Sequence, residues 1–227
     1  MKKVILIEDR ISRQEVFIQN SSIDLNSFDN LKNISGGTEF LELRKSLDEG
    51  NALLFNDFDV IIIHRSAIDH KSRGILVEFC RKNKKGLVLF SGGISSTIYS
   101  EIDGFPLLSL NSKDLYSNNL SMFLNQAKAN EINLLILAFG IKWELNLILN
   151  LNVNLCKLIN DPELIKRTPN MILKKKLVIL PILNDILIKN NCTLDWLNDA
   201  FVDNPNLKIN ELKQDLEILI ENKIIYK

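Results

Sequence analysis

Two adjacent carboxylates, Glu8 and Asp9, follow the apolar run of residues 3–7 (KVILI). Charges this close repel each other unless a cation or a basic group lies near them. An imidazole, His64, follows a second run in the stretch FDVIIIHRS, residues 58–66, and a hydroxyl, Ser91, follows a third, residues 86–90 (GLVLF). Three chemistries fit these residue types. In the first, His64 hydrogen-bonds Glu8, Asp9 or Ser91; two nearby carboxylates then raise its pKa and favour an imidazolium. In the second, His64, Glu8 and Asp9 form a ligand set, which suits a transition metal better than Mg²⁺. In the third, His64 is a general base toward Ser91, although no glycine-flanked nucleophile elbow surrounds that serine. Simpler readings stand beside these: a solvated loop or an Asp9 helix cap for the acidic pair, and a tight turn for Gly92-Gly93. The two glycines have the spacing of neither a P-loop nor a dinucleotide fingerprint. The sequence favours the first chemistry.

The elements that must position these groups are short and alternate in type. Val60, Ile61, Ile62 and Ile63 form an unbroken β-branched run, which suits a strand buried on both faces of a parallel sheet. In such sheets ligands gather beyond the carboxyl ends of the strands, where His64 stands. Asp57 and Asp59 precede the run and belong to its opposite end. Residues 3–7 are a first strand and residues 11–18 a helix carrying Ile11, Val16 and Phe17 as its apolar residues. Residues 28–34 are a weaker strand. A helix capped by Thr38 and ended by Gly50 buries Phe40, Leu41, Leu43 and Leu47. Residues 67–83 are a helix with Ile75, Leu76, Phe79 and Cys80 inward and His70 at its exposed start. Residues 86–90 are a fourth strand and residues 94–101 a short helix. Residues 105–110 (FPLLSL) are a fifth strand whose Pro106 suits an edge, and residues 115–128 a last helix. Strand alternating with helix five times predicts a three-layer α/β fold around a five-stranded parallel sheet, over residues 1–130.

This layout resembles the receiver domain of bacterial two-component response regulators, over somewhat more than half of the chain. In that family an acidic pair after the first strand helps to hold Mg²⁺, and Glu8-Asp9 stands there. A Ser or Thr followed by a small residue closes the fourth strand and touches the phosphoryl group, and Ser91-Gly92 stands there. The phosphate-accepting aspartate ends the third strand, where this chain has His64. The family's lysine lies two residues after the fifth strand's last apolar residue; counting from Leu110 gives Ser112, with Lys113 one place further. Imidazole cannot form an acyl phosphate, and its presence removes one of the hard oxygen ligands that Mg²⁺ prefers. The resemblance therefore implies a pseudo-receiver whose degenerate pocket is Glu8, Asp9, His64, Ser91 and Lys113. It also implies a homodimer interface over residues 94–128.

Composition narrows the class further. Lys+Arg and Asp+Glu both number 28, so there is no overall pull toward nucleic acid or anionic lipid. Cys80, Cys156 and Cys192 are odd in number and far apart, which fits neither a disulfide framework nor a zinc site; they read as thiols in a reducing compartment. The apolar core of MKKVILIEDR is too short for a signal peptide, and no run approaches the roughly 20 apolar residues of a membrane helix. A cytoplasmic protein without cofactor is expected.

Residues 131–227 read as a mainly helical output or dimerisation domain. Residues 131–149 are strongly apolar, with Gly140 dividing them, and ask to be buried. Residues 209–220 (INELKQDLEILI) form an amphipathic helix followed by a strand-like IIY, which resembles the end of a winged-helix domain. Its exposed face carries Glu211, Asp215, Glu217 and Glu221, which argues against entry into a DNA groove. Lys174, Lys175 and Lys176 are the candidate phosphate or DNA contact, with a solvated charge run as the simpler reading. The expected function is that of a non-enzymatic signalling protein, independent of phosphorylation and acting through protein contacts. The alternative is an atypical DNA-binding transcription regulator.

Overall fold

In the computed structural model of the chain, the described residues are 1–95, 97–102, 105–143, 146 and 163. The apolar runs become strands because β-branched and aromatic side chains pack well on a pleated, buried surface. The strands are β1 (Val4–Glu8), β2 (Leu31–Ser35), β3 (Val60–His64), β4 (Gly86–Phe90), β5 (Ile98–Ile102) and β6 (Phe105–Leu110). They form one sheet in the order β2-β1-β3-β4-β6-β5, parallel throughout except for β5, which runs antiparallel to β6. Every residue of β1, β3 and β4 is buried, and each large apolar side chain so buried contributes about 1.5–3 kcal/mol.

The helices are α1 (Ile11–Ser21), α2 (Gly37–Asp48), α3 (His70–Lys82), α4 (Ser112–Leu115), α5 (Asn118–Lys128) and α6 (Leu135–Phe139). Successive strand side chains point to opposite faces, and the two faces take different helices. Ile5, Ile7, Ile61, Ile63, Leu87 and Leu89 share a core with Phe40, Leu43 and Leu47 of α2 and with Leu76 and Cys80 of α3. On the other face Phe90 meets Tyr116, Tyr116 stacks on Phe17 of α1, and Asn30 donates to the Leu124 carbonyl of α5. This face takes in residues beyond Asn130: Leu134–Leu137 are buried, and Leu134 lies against Gly86. Gly140 (φ +68°) closes α6, and a short 3₁₀ turn (Gly140–Lys142) follows. The chain divides into two compact units, Met1–Ile141 and Lys142–Lys227. Among the described residues no helix is long and apolar enough to cross a membrane.

The five-stranded parallel sheet expected from the sequence needs correction. The sheet has six strands and is mixed, because the expected helix of residues 94–101 is instead the edge strand β5. The register pairs Ile102 with Phe105, so only Asp103 and Gly104 separate the strands, and Asp-Gly between apolar runs is a strong hairpin signal. Pro106 consequently lies in an inner strand. It is tolerated there because the ladder to β4 begins only at Leu107. Leu41, expected on the buried face of its helix, is 62% exposed, and Ile11 and Val16 of α1 are 48% and 55% exposed. The side chain that α1 buries is polar: Gln14 exchanges hydrogen bonds with Asn33 and donates to the Tyr116 hydroxyl (3.1 Å). Helix α2 starts one residue before Thr38, and its cap position is Gly36.

Candidate functional site

The strand order runs outward from β1 in two directions, to β2 on one side and to β3 on the other. The carboxyl ends of β1 and β3 therefore border the crevice where open α/β sheets hold their chemistry. Glu8 is the last residue of β1 and His64 the last of β3. Asp59 lies at the opposite end of β3, where it accepts from the Lys3 N–H at 2.8 Å.

Arg13 fills the space between these groups. It lies on the first turn of α1, four residues after Asp9, and its guanidinium hydrogen-bonds both Glu8 and Asp9. The same side chain lies 3.3 Å from Ser66 Oγ. Ser66 follows β3 in a 3₁₀ turn (Arg65–Ala67) and completes the cluster: its hydroxyl lies 2.8 and 2.9 Å from the two Asp9 oxygens and 2.7 Å from His64 Nδ1. The Ser66 N–H donates to the same ring nitrogen at 3.1 Å. A nitrogen that accepts a backbone N–H carries no proton, so the neutral ring has its proton on Nε2. Nε2 is buried without a hydrogen-bond partner among the described residues, as is Glu8 Oε2. Phe90 meets the imidazole edge-on, with ring centroids 5.0 Å apart.

This geometry sets the charges. Burial raises the pKa of Glu8, and a hydrogen bond with Asp9 adds to the rise; contact with Arg13 opposes it. Burial also works against the Asp9 charge, but hydrogen bonds from Glu8 and Ser66 and the Arg13 charge outweigh it and hold Asp9 below its ordinary value. Burial, helped by the Arg13 charge, pushes His64 down to about 4 against the attraction of Asp9. The imidazolium expected from the sequence is thus a neutral imidazole, and Arg13 supplies the positive charge. Its guanidinium keeps its proton the more firmly because the Glu8 and Asp9 contacts outweigh its own burial.

Glu8, Asp9 and His64 each offer a ligand atom within 4.8 Å of the others. One oxygen of each carboxylate is held by Arg13 and the facing ring nitrogen by Ser66, so a metal ion would have to displace both. A catalytic relay needs the base and its orienting acid on opposite ring nitrogens. Here Ser66 Oγ and Asp9 both face Nδ1.

The structure brings Glu8, Asp9 and His64 together. Ser91 stands one residue beyond the His64–Phe90 register pair, and its hydroxyl accepts from the Gly93 N–H at 3.3 Å. Among the described residues it makes no hydrogen bond to the acidic pair or to His64. Lys113 is exposed in α4, its N–H capped by Asn111, and Ser112 is the buried residue at that turn. His70 opens α3 and is exposed, as expected. Lys174, Lys175, Lys176 and the helix-strand pattern of residues 209–226 lie outside the described residues. Sequence reasoning missed Arg13 and Ser66. The available signals were the i,i+4 spacing of Asp9 and Arg13 at a helix start and a hydroxyl two residues after His64. Comparison with protein-family models, with curated proteins and with solved structures finds no match to this chain, so any functional reading rests on the residues themselves.

Proposed function

We propose that residues 1–141 are a receiver-like domain of flavodoxin-like topology that has lost its phosphoacceptor. The chain is then a non-enzymatic, response-regulator-like signalling protein that acts through protein contacts without phosphorylation. One observation carries this reading: the Arg13 guanidinium sits on Glu8 and Asp9 beside a neutral His64 at the end of β3. A cation built into the chain holds the two carboxylates where a receiver would recruit Mg²⁺. The parallel strand order β2-β1-β3-β4-β6 is also that of doubly wound proteins with their site between β1 and β3.

The test is incubation of the full chain with acetyl phosphate and Mg²⁺, followed by intact mass measurement and hydroxylamine treatment. No added phosphoryl group is expected. A stable, hydroxylamine-sensitive acyl phosphate refutes the reading. The resemblance also implies self-association through residues 94–128, and a chain that sediments as a monomer removes that part of the proposal.

A further inference from the structure

Parallel neighbours in a sheet are ordinarily joined through a helix packed on one face. β4 and β6 are such neighbours, yet their connection runs through β5 at the edge. Among the described residues, α3 is the helix beside the sheet face that such a helix would cover. Leu107 and Ser109 of β6 remain half-buried there. A cavity of about 580 Å³ occupies the place, floored by Leu89, Leu107 and Val77, a volume in the range of small-molecule sites.

Its charge is one-sided. Among the described residues Arg65, Arg73 and His70 line it and no carboxylate does. Six arginines fall among the described residues. Arg10, Arg13, Arg44 and Arg81 each pair with a carboxylate. Arg65 and Arg73 have no ion pair and no side-chain hydrogen bond among the described residues, and both line this one cavity. Asp69, the acid nearest in sequence, is engaged by the Ser72 N–H at 2.7 Å. Glu8, Asp9, Arg13, His64 and Ser66 do not line the cavity, so it is separate from the cluster at β1 and β3.

We propose that this cavity binds a small phosphomonoester, with the phosphate on Arg65 and Arg73 and an apolar body on Leu89, Leu107 and Val77. Two guanidiniums match a phosphate dianion in charge and in donor geometry. The apolar floor fits a ring or chain too large for inorganic phosphate alone.

Calorimetric titration of the full chain at low salt tests this, with adenosine 5′-monophosphate and phenyl phosphate as probes and adenosine and inorganic phosphate as comparators. At least one phosphomonoester is expected to bind about tenfold or more tightly than adenosine and than inorganic phosphate. Arg65→Gln and Arg73→Gln each weaken that binding by about tenfold or more. Both arginines lack partners among the described residues, so the fold survives their loss. Gly74→Leu is the second variant: Gly74 lines the cavity on α3, a Cβ there meets nothing within 4 Å, and the larger side chain blocks the site without opening the core. Absence of binding by both phosphomonoesters at millimolar concentration overturns the proposal. So does equal binding of adenosine, or binding that persists in the arginine variants. None of these results bears on the acyl-phosphate experiment, which concerns the other site.

Discussion

Replacing Arg13 with alanine removes the cation from a carboxyl pair of which Glu8 is wholly buried. Breaking a buried pair from one side costs about 3–5 kcal/mol in general. Two features hold the loss below that here. Arg13 keeps 26% of its side-chain surface in water, which screens its charge. Glu8 can also escape by taking up a proton. A carboxyl that ionises near 4.5 in the unfolded chain costs at most about 1.36 kcal/mol per pH unit to keep protonated, a ceiling of about 3.4 kcal/mol at pH 7. The expected loss is about 1.5–3 kcal/mol at pH 7.

The sign of its pH dependence is fixed. Without Arg13 the folded-state pKa of Glu8 rises further above the unfolded value. The folded variant then holds a proton that the unfolded chain releases above about pH 4.5. The destabilisation therefore grows as pH increases above that value and shrinks toward it on acidification. Native-state hydrogen exchange of β1 and β3 peptides in urea, from about pH 5 to about pH 8, reads the first unit by itself. A variant as stable as the parent throughout refutes the reasoning, as does one whose deficit is largest in acid.

Further outcomes follow from the same geometry. His64 ionises near 6.5 unfolded and at about 4 folded, so stability is fully present above 6.5 and falls as pH drops through that window. Its ring proton resonances are expected to remain those of neutral imidazole at pH 6, and a midpoint at or above 6.5 contradicts the buried, Arg13-facing placement. Burial pushes the Cys80 thiol up to about 12. Peptide mapping after alkylation at pH 8 should find Cys80 unmodified in the native chain and modified in denaturant. Gly74→Ala, in mid-helix with open space around its Cβ, is expected to stabilise by about 0.5–1 kcal/mol in urea unfolding. Gly140→Ala is expected to cost about 1–3 kcal/mol by the same measurement. Its φ is +68° and its new Cβ would lie 2.9 Å from Asn119 Oδ1.

The amino-acid sequence by itself determined the parallel part of the sheet and the placing of Glu8, Asp9 and His64 at strand ends. Four consecutive β-branched residues in β3 leave little alternative to a strand buried on both faces, and a residue next to such a run must stand at its end. Three matters were decided only by tertiary structure. Residues 98–102 carry a pattern short enough for either helix or strand, and pairing with β6 settles it. Gln14 is the side chain that α1 buries because Asn33 and Tyr116 satisfy its amide there, partners that lie 19 and 102 residues away. The charge of His64 was the hardest to read. Two carboxylates at the end of the neighbouring strand argue for a cation, but burial lowers the pKa, and Arg13 reaches those carboxylates first. Local pattern reports which face a side chain takes; how deeply the chain closes over it, and which long side chain arrives to neutralise it, depends on elements brought together only by folding.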